Sequence, residues 1–153
     1  MEFFKNRISI ITGHYGSGKT NFAVNLALSL QKSGKKTALV DLDIVNPYFR
    51  SADFTGTLSE KGVRVVVPPY ANSNLDLPVL SAEVEAVIRQ ADTHVVIDVG
   101  GDDAGAAALG RFAPALQETG DFEMYYVVSR YRGLTRTAAE AVGILRRSRQ
   151  WAR

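Results

Sequence analysis

A three-layer α/β/α sandwich on a mostly parallel sheet, an α/β fold, is what this 153-residue chain predicts. Strand-like and helix-like patterns alternate along it, the order expected when helices connect parallel strands. The strand candidates are runs of Val, Ile and Leu with little polar alternation, as required where both faces of a sheet are covered. The first of them leads through a glycine-rich turn, Gly13-His14-Tyr15-Gly16-Ser17-Gly18-Lys19-Thr20, directly into a helical pattern.

Ile8–Thr12 is the first predicted strand and Lys19–Ser33 the first helix, with Gly34 as its C-terminal stop. Thr37–Asp41 follows as a strand, then a shorter helix near Pro47–Lys61 and the strand Val63–Val67. Pro68–Pro78 holds three prolines and two asparagines and predicts an irregular connection. Ala82–Gln90 reads as a helix capped by Ser81, and His94–Val99 as a strand. Asp102 and Asp103 suit the cap of a helix over Ala104–Glu118, and the segment is a candidate switch. Glu123–Ser129 and Leu134–Arg149 complete the pattern as strand and helix.

Length and composition, 46% apolar and 22% charged, suit one globular domain with a single core. No apolar run approaches the roughly 20 residues that span a bilayer. Met1–Arg7 lacks the order of a signal peptide, so a cytoplasmic protein is expected. There is no cysteine, which excludes disulfides, thiolate zinc sites and cysteine-held iron–sulfur clusters within one chain. A formal charge of +2 does not argue for nucleic acid. Arg146, Arg147, Arg149 and Arg153 suit the end and solvated face of a terminal helix, and no membrane partner is indicated.

The glycine turn has the form G-x-x-x-x-G-K-T between strand and helix, the context of a phosphate-binding loop. Gly13, Gly16 and Gly18 let the backbone curl so that N–H groups, with that of Ser17, face phosphate oxygens. The following helix adds its positive dipole end. Lys19 would reach the β- and γ-phosphates and the Thr20 hydroxyl would ligate Mg²⁺. The expected ligand is a nucleoside polyphosphate.

Val95-Val96-Ile97-Asp98 is an apolar strand ending in an acid, the form of a Walker B strand, with Asp98 on the metal. Gly100 and Gly101 beyond it leave room for backbone to approach the γ-phosphate. Leu39-Val40-Asp41-Leu42-Asp43 is a second acidic strand end. Spacing leaves two readings of it open: a solvated strand terminus, or one shared site if the chain turns right after Asp41.

Together, G-H-Y-G-S-G-K-T, the helix with Asn25, Ala27 and Leu30, V-D-L-D and I-D-V-G-G resemble the MinD/ParA group of deviant-Walker P-loop ATPases. That group includes CobQ/CobB-type nucleotide-binding domains. Val127–Arg130, Leu134–Thr137 and Val142–Leu145 look like the strand and helix after Walker B in MinD proteins, so the resemblance spans essentially the whole chain. It implies a P-loop NTPase domain over residues 1–153, binding ATP with Mg²⁺. Asp41 would lie in the outer shell of the metal and Asp43 would position the attacking water, with Lys19 on the phosphates. It also implies a homodimer across the nucleotide site and a protein partner that reads the ATP or ADP state.

The chain departs from the family pattern twice. His14 stands where the signature lysine reaches across the dimer, and a neutral histidine does not replace a permanent cation. The chain also ends at Arg149–Arg153, before the strand whose asparagine reads the base, so the expected domain is incomplete at its C-terminal end. Adenine rests on the resemblance, and no N-K-x-D guanine signature is present. The leading functional expectation is an Mg²⁺-dependent ATPase switch. A carboxylate-activating synthase of the CobQ/dethiobiotin-synthetase kind and a non-catalytic nucleotide-binding module are the alternatives. A nitrogenase-reductase role is excluded by the missing cysteines.

Overall fold

Val, Ile and Leu with nothing polar between them can be buried on both sides only in the middle of a layered fold. The structure, a computed structural model, describes residues 4–43, 54–67, 77–131, 136–140 and 142–143. Five strands form one sheet in the order β3-β2-β4-β1-β5, every neighbouring pair parallel. They are β1 (Ile8–Gly13), β2 (Thr37–Leu42), β3 (Arg64–Val66), β4 (His94–Val99) and β5 (Phe122–Val127). The helices are α1 (Lys19–Lys32), α2 (Thr55–Glu60), α3 (Leu77–Arg89), α4 (Asp103–Gly110) and α5 (Ala113–Thr119). The expected α/β sandwich is therefore the observed fold.

Two cores lie on opposite faces of the sheet. Ile11, Leu39 and Val96 meet Ala23, Ala27 and Leu30 of α1 and Leu58 of α2. Ile10, Val40, Val95 and Ile97 meet Val84, Val87 and Ile88 of α3 and Leu116 of α5. The alternation along each strand decides which residue joins which core. Asp41 and Asp98 share the parity of Leu39 and Val96, so they belong to the α1 face.

The chain leaves β1 for β2 over the α1 face and leaves β4 for β5 under the other, although β1 and β4 are neighbours. That reversal opens a crevice beyond the carboxyl ends of β1 and β4, the place where open α/β sheets bind ligands. The phosphate-loop motif and Asp98 both sit at those ends.

The opposite end of the sheet is tied by side chains. Arg7 donates to the carbonyls of Ile88, Gln90 and Thr93 at 2.8, 3.1 and 2.9 Å, closing the C-terminal end of α3. Its backbone N–H donates to Asp121 Oδ1 at 3.0 Å, and Nε lies 3.6 Å from the other carboxylate oxygen. Arg89 of α3 and Glu118 of α5 form an ion pair on the same face. At the end of α1, Gly34 has φ 81°, and the N–H groups of Gly34 and Lys35 reach Gln31 and Leu30 carbonyls. This is the Schellman stop that a glycine there makes inexpensive.

Two of the expected helices change. The predicted helix Ala104–Glu118 is two helices, separated at Arg111 and Phe112. In one continuous helix Pro114 would lack the N–H needed by the Gly110 carbonyl and its ring would crowd that turn. Restarting at Ala113 places Pro114 in a first turn, where no such bond is required. Ser81 is not a cap, because α3 begins four residues earlier at Leu77, with Pro78 in its first turn. Within Pro68–Pro78, residues 68–76 lie outside the described residues, as do 47–53 of the second helix and most of Leu134–Arg149. Of that last segment, 138–140 and 142–143 are helical.

Candidate nucleotide site

β1 delivers the chain to Gly13, where a side chain has no room. A Cβ there would lie 2.5 Å from the Val127 carbonyl oxygen and 2.8 Å from Ser17 Oγ. The loop then folds on itself, the Ser17 N–H donating to the His14 carbonyl at 3.0 Å. Gly16 and Gly18 adopt φ of 72° and 91°, the left-handed region that glycine enters without penalty. Gly18 caps α1 with no side-chain cap of its own and no acidic residue in the first turn. An α-helix so left offers its N–H groups and dipole to an anion. Ser17 Oγ is buried and has no hydrogen-bond partner among the described residues, a donor that a phosphate oxygen suits. His14 and Tyr15 are exposed at the tip of the loop.

Lys19 and Thr20 open α1, both with 4% of their surface exposed. Lys19 Nζ donates to Asp43 Oδ2 at 2.6 Å, an ion pair buried on both sides. Asp43 is held in turn, its N–H donating to Asp41 Oδ1 at 2.9 Å. No early turn is needed to bring the two acids together. β2 continues to Leu42, and residues two apart in extended chain point to the same face. The solvated-terminus reading fails for both, since Asp41 and Asp43 are 2% and 4% exposed.

Asp98 is fully buried at the end of β4 and stands in register with Asp41 on β2 and Ile11 on β1. Two buried carboxylates side by side on adjacent strands, one of them tied through Asp43 to Lys19, offer hard oxygen ligands in a charge-rich setting. Among the described residues no group of three or more His, Cys, Asp and Glu is close enough to hold a metal unaided. Mg²⁺ has no need of one, since it keeps waters and takes one or two protein carboxylates plus substrate phosphates.

After Asp98 the chain passes through two glycines that are both filled by neighbours. A Cβ on Gly100 would lie 3.2 Å from Asp43 Oδ1 and 3.3 Å from Asp102 Oδ1. A Cβ on Gly101 would lie 2.3 Å from the Gly13 carbonyl oxygen and 3.1 Å from the Tyr15 nitrogen. Gly105, in the first turn of α4, is pressed as closely on the Gly100 backbone, 2.3 Å from a Cβ to the carbonyl oxygen. Asp102 caps α4 as expected, Oδ1 accepting from the Gly105 N–H at 2.9 Å.

The structure thus gathers Gly13, Gly16, Ser17, Gly18, Lys19 and Thr20 on one side, and Asp41, Asp43, Asp98 and Gly100 on the other. Two relationships were not legible in the motifs: the Lys19–Asp43 pair and the seat of Gly101 against the phosphate loop. The double glycine after Asp98 was the only signal for the second.

A profile of the ParA family, described as "NUBPL iron-transfer P-loop NTPase", matches residues 4–99. An iron-sulfur cluster carrier protein of Saccharolobus solfataricus is 29% identical over 100 residues, covering 63% of this chain and 31% of that protein. A protein of Emericella nidulans named cytosolic Fe-S cluster assembly factor cfd1 is 27% identical over 103 residues, 67% of this chain and 29% of its own length. A nucleotide-binding protein from Archaeoglobus fulgidus, solved with ADP, superposes with a TM-score of 0.49 at 18% identity, covering 94% of this chain and 62% of that one. The chain spans about three tenths of the length of the curated relatives it matches. With the family profile running from Phe4 to Val99, through the phosphate loop and all three buried acids, this chain belongs to the ParA family of P-loop NTPases.

Proposed function

We propose that the chain is a nucleotide switch that binds ATP with Mg²⁺ and hydrolyses it. One observation carries the reading: Lys19, Thr20, Asp41, Asp43 and Asp98 are all buried at the crevice beyond the carboxyl ends of β1, β2 and β4. So much polar and charged surface is withdrawn from water only where it has a task, because its desolvation otherwise weakens the fold.

In this reading the loop N–H groups and the α1 dipole hold the α- and β-phosphates, and Lys19 neutralises the β- and γ-phosphates. Thr20 and Asp98 would hold Mg²⁺ with Asp41 in its outer shell, and the ion would supply charge neutralisation across the phosphates. Asp43 orients a water on the γ-phosphorus. The water oxygen forms the new P–O bond, the bond to the β–γ bridging oxygen breaks, and ADP leaves as that oxygen takes the charge. The water proton passes to the released phosphate or to solvent. Catalysis here is positioning and electrostatics rather than covalent chemistry.

The names of the relatives favour a specific setting for this switch, the handling of iron–sulfur clusters. The 153 residues contain no cysteine, so they supply no thiolate to a cluster. We assign them the nucleotide half of that work, in the cytoplasm, with cluster ligands coming from elsewhere. A homodimer across the nucleotide site and a partner that reads ATP against ADP belong to the same proposal, with His14 at the position facing the second copy.

Calorimetry with ATP, ADP, GTP and GDP, each with and without Mg²⁺, tests the core of it. Adenine nucleotides should bind with a metal-dependent gain, and phosphate release should vanish in Lys19→Ala. Failure of all four to bind would sink the reading. Iron and sulfide reconstitution of the purified chain should leave no visible charge-transfer band, and a stable band would refute the division of labour.

A further inference from the structure

We propose that Asp43 occupies the phosphate's place on Lys19, and that nucleotide binding transfers the lysine from carboxylate to phosphate. The inference rests on the reading of residues 13–20 as the nucleotide site. A buried ammonium left without an anionic partner is strongly destabilising, because its desolvation is then uncompensated. Asp43 Oδ2, 2.6 Å from Nζ, is that partner here. A phosphate bound by the loop N–H groups brings two or more anionic oxygens to the same ammonium. It competes with Asp43 on favourable terms, because Lys19 starts the helix whose dipole also draws the anion.

The exchange has a mechanical side. The other Asp43 oxygen packs against Gly100, 3.2 Å from where a Cβ would stand, and Gly100 is in turn pressed against Gly105 of α4. The Asp43 carboxylate is therefore a wedge between the phosphate-loop lysine and the turn from β4 into α4. Releasing it from Lys19 changes what the 100–105 turn rests on. It also frees the carboxylate that the proposed mechanism needs for water. A single ion-pair exchange would thus tie the end of β2, the start of α4 and the nucleotide into one two-state element.

The test uses the whole chain labelled with ¹³C-aspartate and ¹⁵N, titrated with ADP in chelator so that no metal contributes. The Thr20 amide reports occupancy of the loop, and the Asp43 side-chain carboxyl carbon reports its partner. At saturation both signals should move together. A Thr20 amide that shifts while the Asp43 carbon stays in place would overturn the exchange and leave the nucleotide site intact. If neither moves, the nucleotide reading itself fails and the exchange with it. Asp43→Asn keeps the shape and removes the competing charge, so it should tighten metal-free ADP roughly tenfold. Unchanged affinity in that variant would count against the proposal independently.

Discussion

Gly101 lies against the carbonyl of Gly13, so close that a Cβ would come within 2.3 Å of its oxygen. Two glycines some ninety residues apart in sequence thereby set the contact between the end of β1 and the entry to α4. Their neighbours in the chain are the phosphate loop on one side and Asp98 on the other.

Gly101→Ala should therefore damage nucleotide binding more than stability. The added methyl meets backbone at Gly13, His14 and Tyr15, none of which can swing aside as a side chain could. Overpacking of this kind costs about 1–3 kcal/mol, and here the strain falls on the loop. A tenfold or greater loss of ADP affinity with a retained cooperative unfolding transition is the expected result. Wild-type affinity would show that the loop and the turn move independently.

Asp43→Ala should bind ATP yet turn it over about 10²–10³ more slowly, the usual loss when a positioning group is removed. It leaves Lys19 buried without its carboxylate, so the nucleotide-free variant should unfold about 3–5 kcal/mol more easily. Added ATP should recover more stability in this variant than in the wild type. Phosphate release and urea melts with and without ATP measure the two effects separately.

Arg7→Met should cost about 2–3 kcal/mol without touching the site. Its guanidinium satisfies three carbonyls in and just beyond the last turn of α3, and hydrogen bonds from a charged group contribute about 1.5–3 kcal/mol. Arg7 sits at the start of β1, at the far end of the sheet from Asp98. Nucleotide affinity at a temperature where the variant is folded should match the wild type.

His94 predicts a pH dependence on the acid side. Burial, first, and then the positive charges of Lys35 and Arg7 hold its imidazole below the ordinary value of 6.5, against a smaller opposing pull from Asp121. As pH falls below 6.5 the unfolded chain takes up this proton before the folded one does. Stability from this group is complete above 6.5 and declines until the folded form protonates as well. Urea melts on either side of 6.5 should show the decline in the wild type and less of it in His94→Gln.

Leu58→Ala should destabilise by about 2–5 kcal/mol, since Leu58 is fully buried where α2 meets the α1-side core. Denaturant unfolding reads this directly, and a loss well under 1 kcal/mol would mean that α2 is dispensable to that core.

Where hydrophobic pattern and local chemistry agreed, the fold was legible in advance. Val95–Ile97 is apolar without interruption and lies in the middle of the sheet, and Gly34 stops α1 as its residue type foretells. At Arg111 and Phe112 two signals conflict: Pro114 announces the split, while the apolar spacing on both sides reads as one helix. Local preference alone makes Ser81 a cap, whereas Pro78 can itself open a helix. For the site, motifs located the loop and the acids but said nothing of partners. The Lys19–Asp43 pair joins residues from two elements that only the sheet order places together, and spacing in sequence cannot report that.

The stitching around Arg7 gives the sheet a gradient from end to end. At the β1 entrance, Val95 donates to the Arg7 carbonyl, Ile8 to that of Asp121 and His94 to that of Lys36, beside the guanidinium clasp. At the exit, the described residues meet through close glycine contacts and through the Lys19–Asp43 ion pair, the one we propose exchanges with nucleotide. Amide protons near the entrance should therefore outlast those near the exit in deuterated water, and heat should loosen the chemistry before it loosens the frame. Exchange that is slow beside Arg7 and faster beside Gly101 would mark the sheet as pinned at one end only.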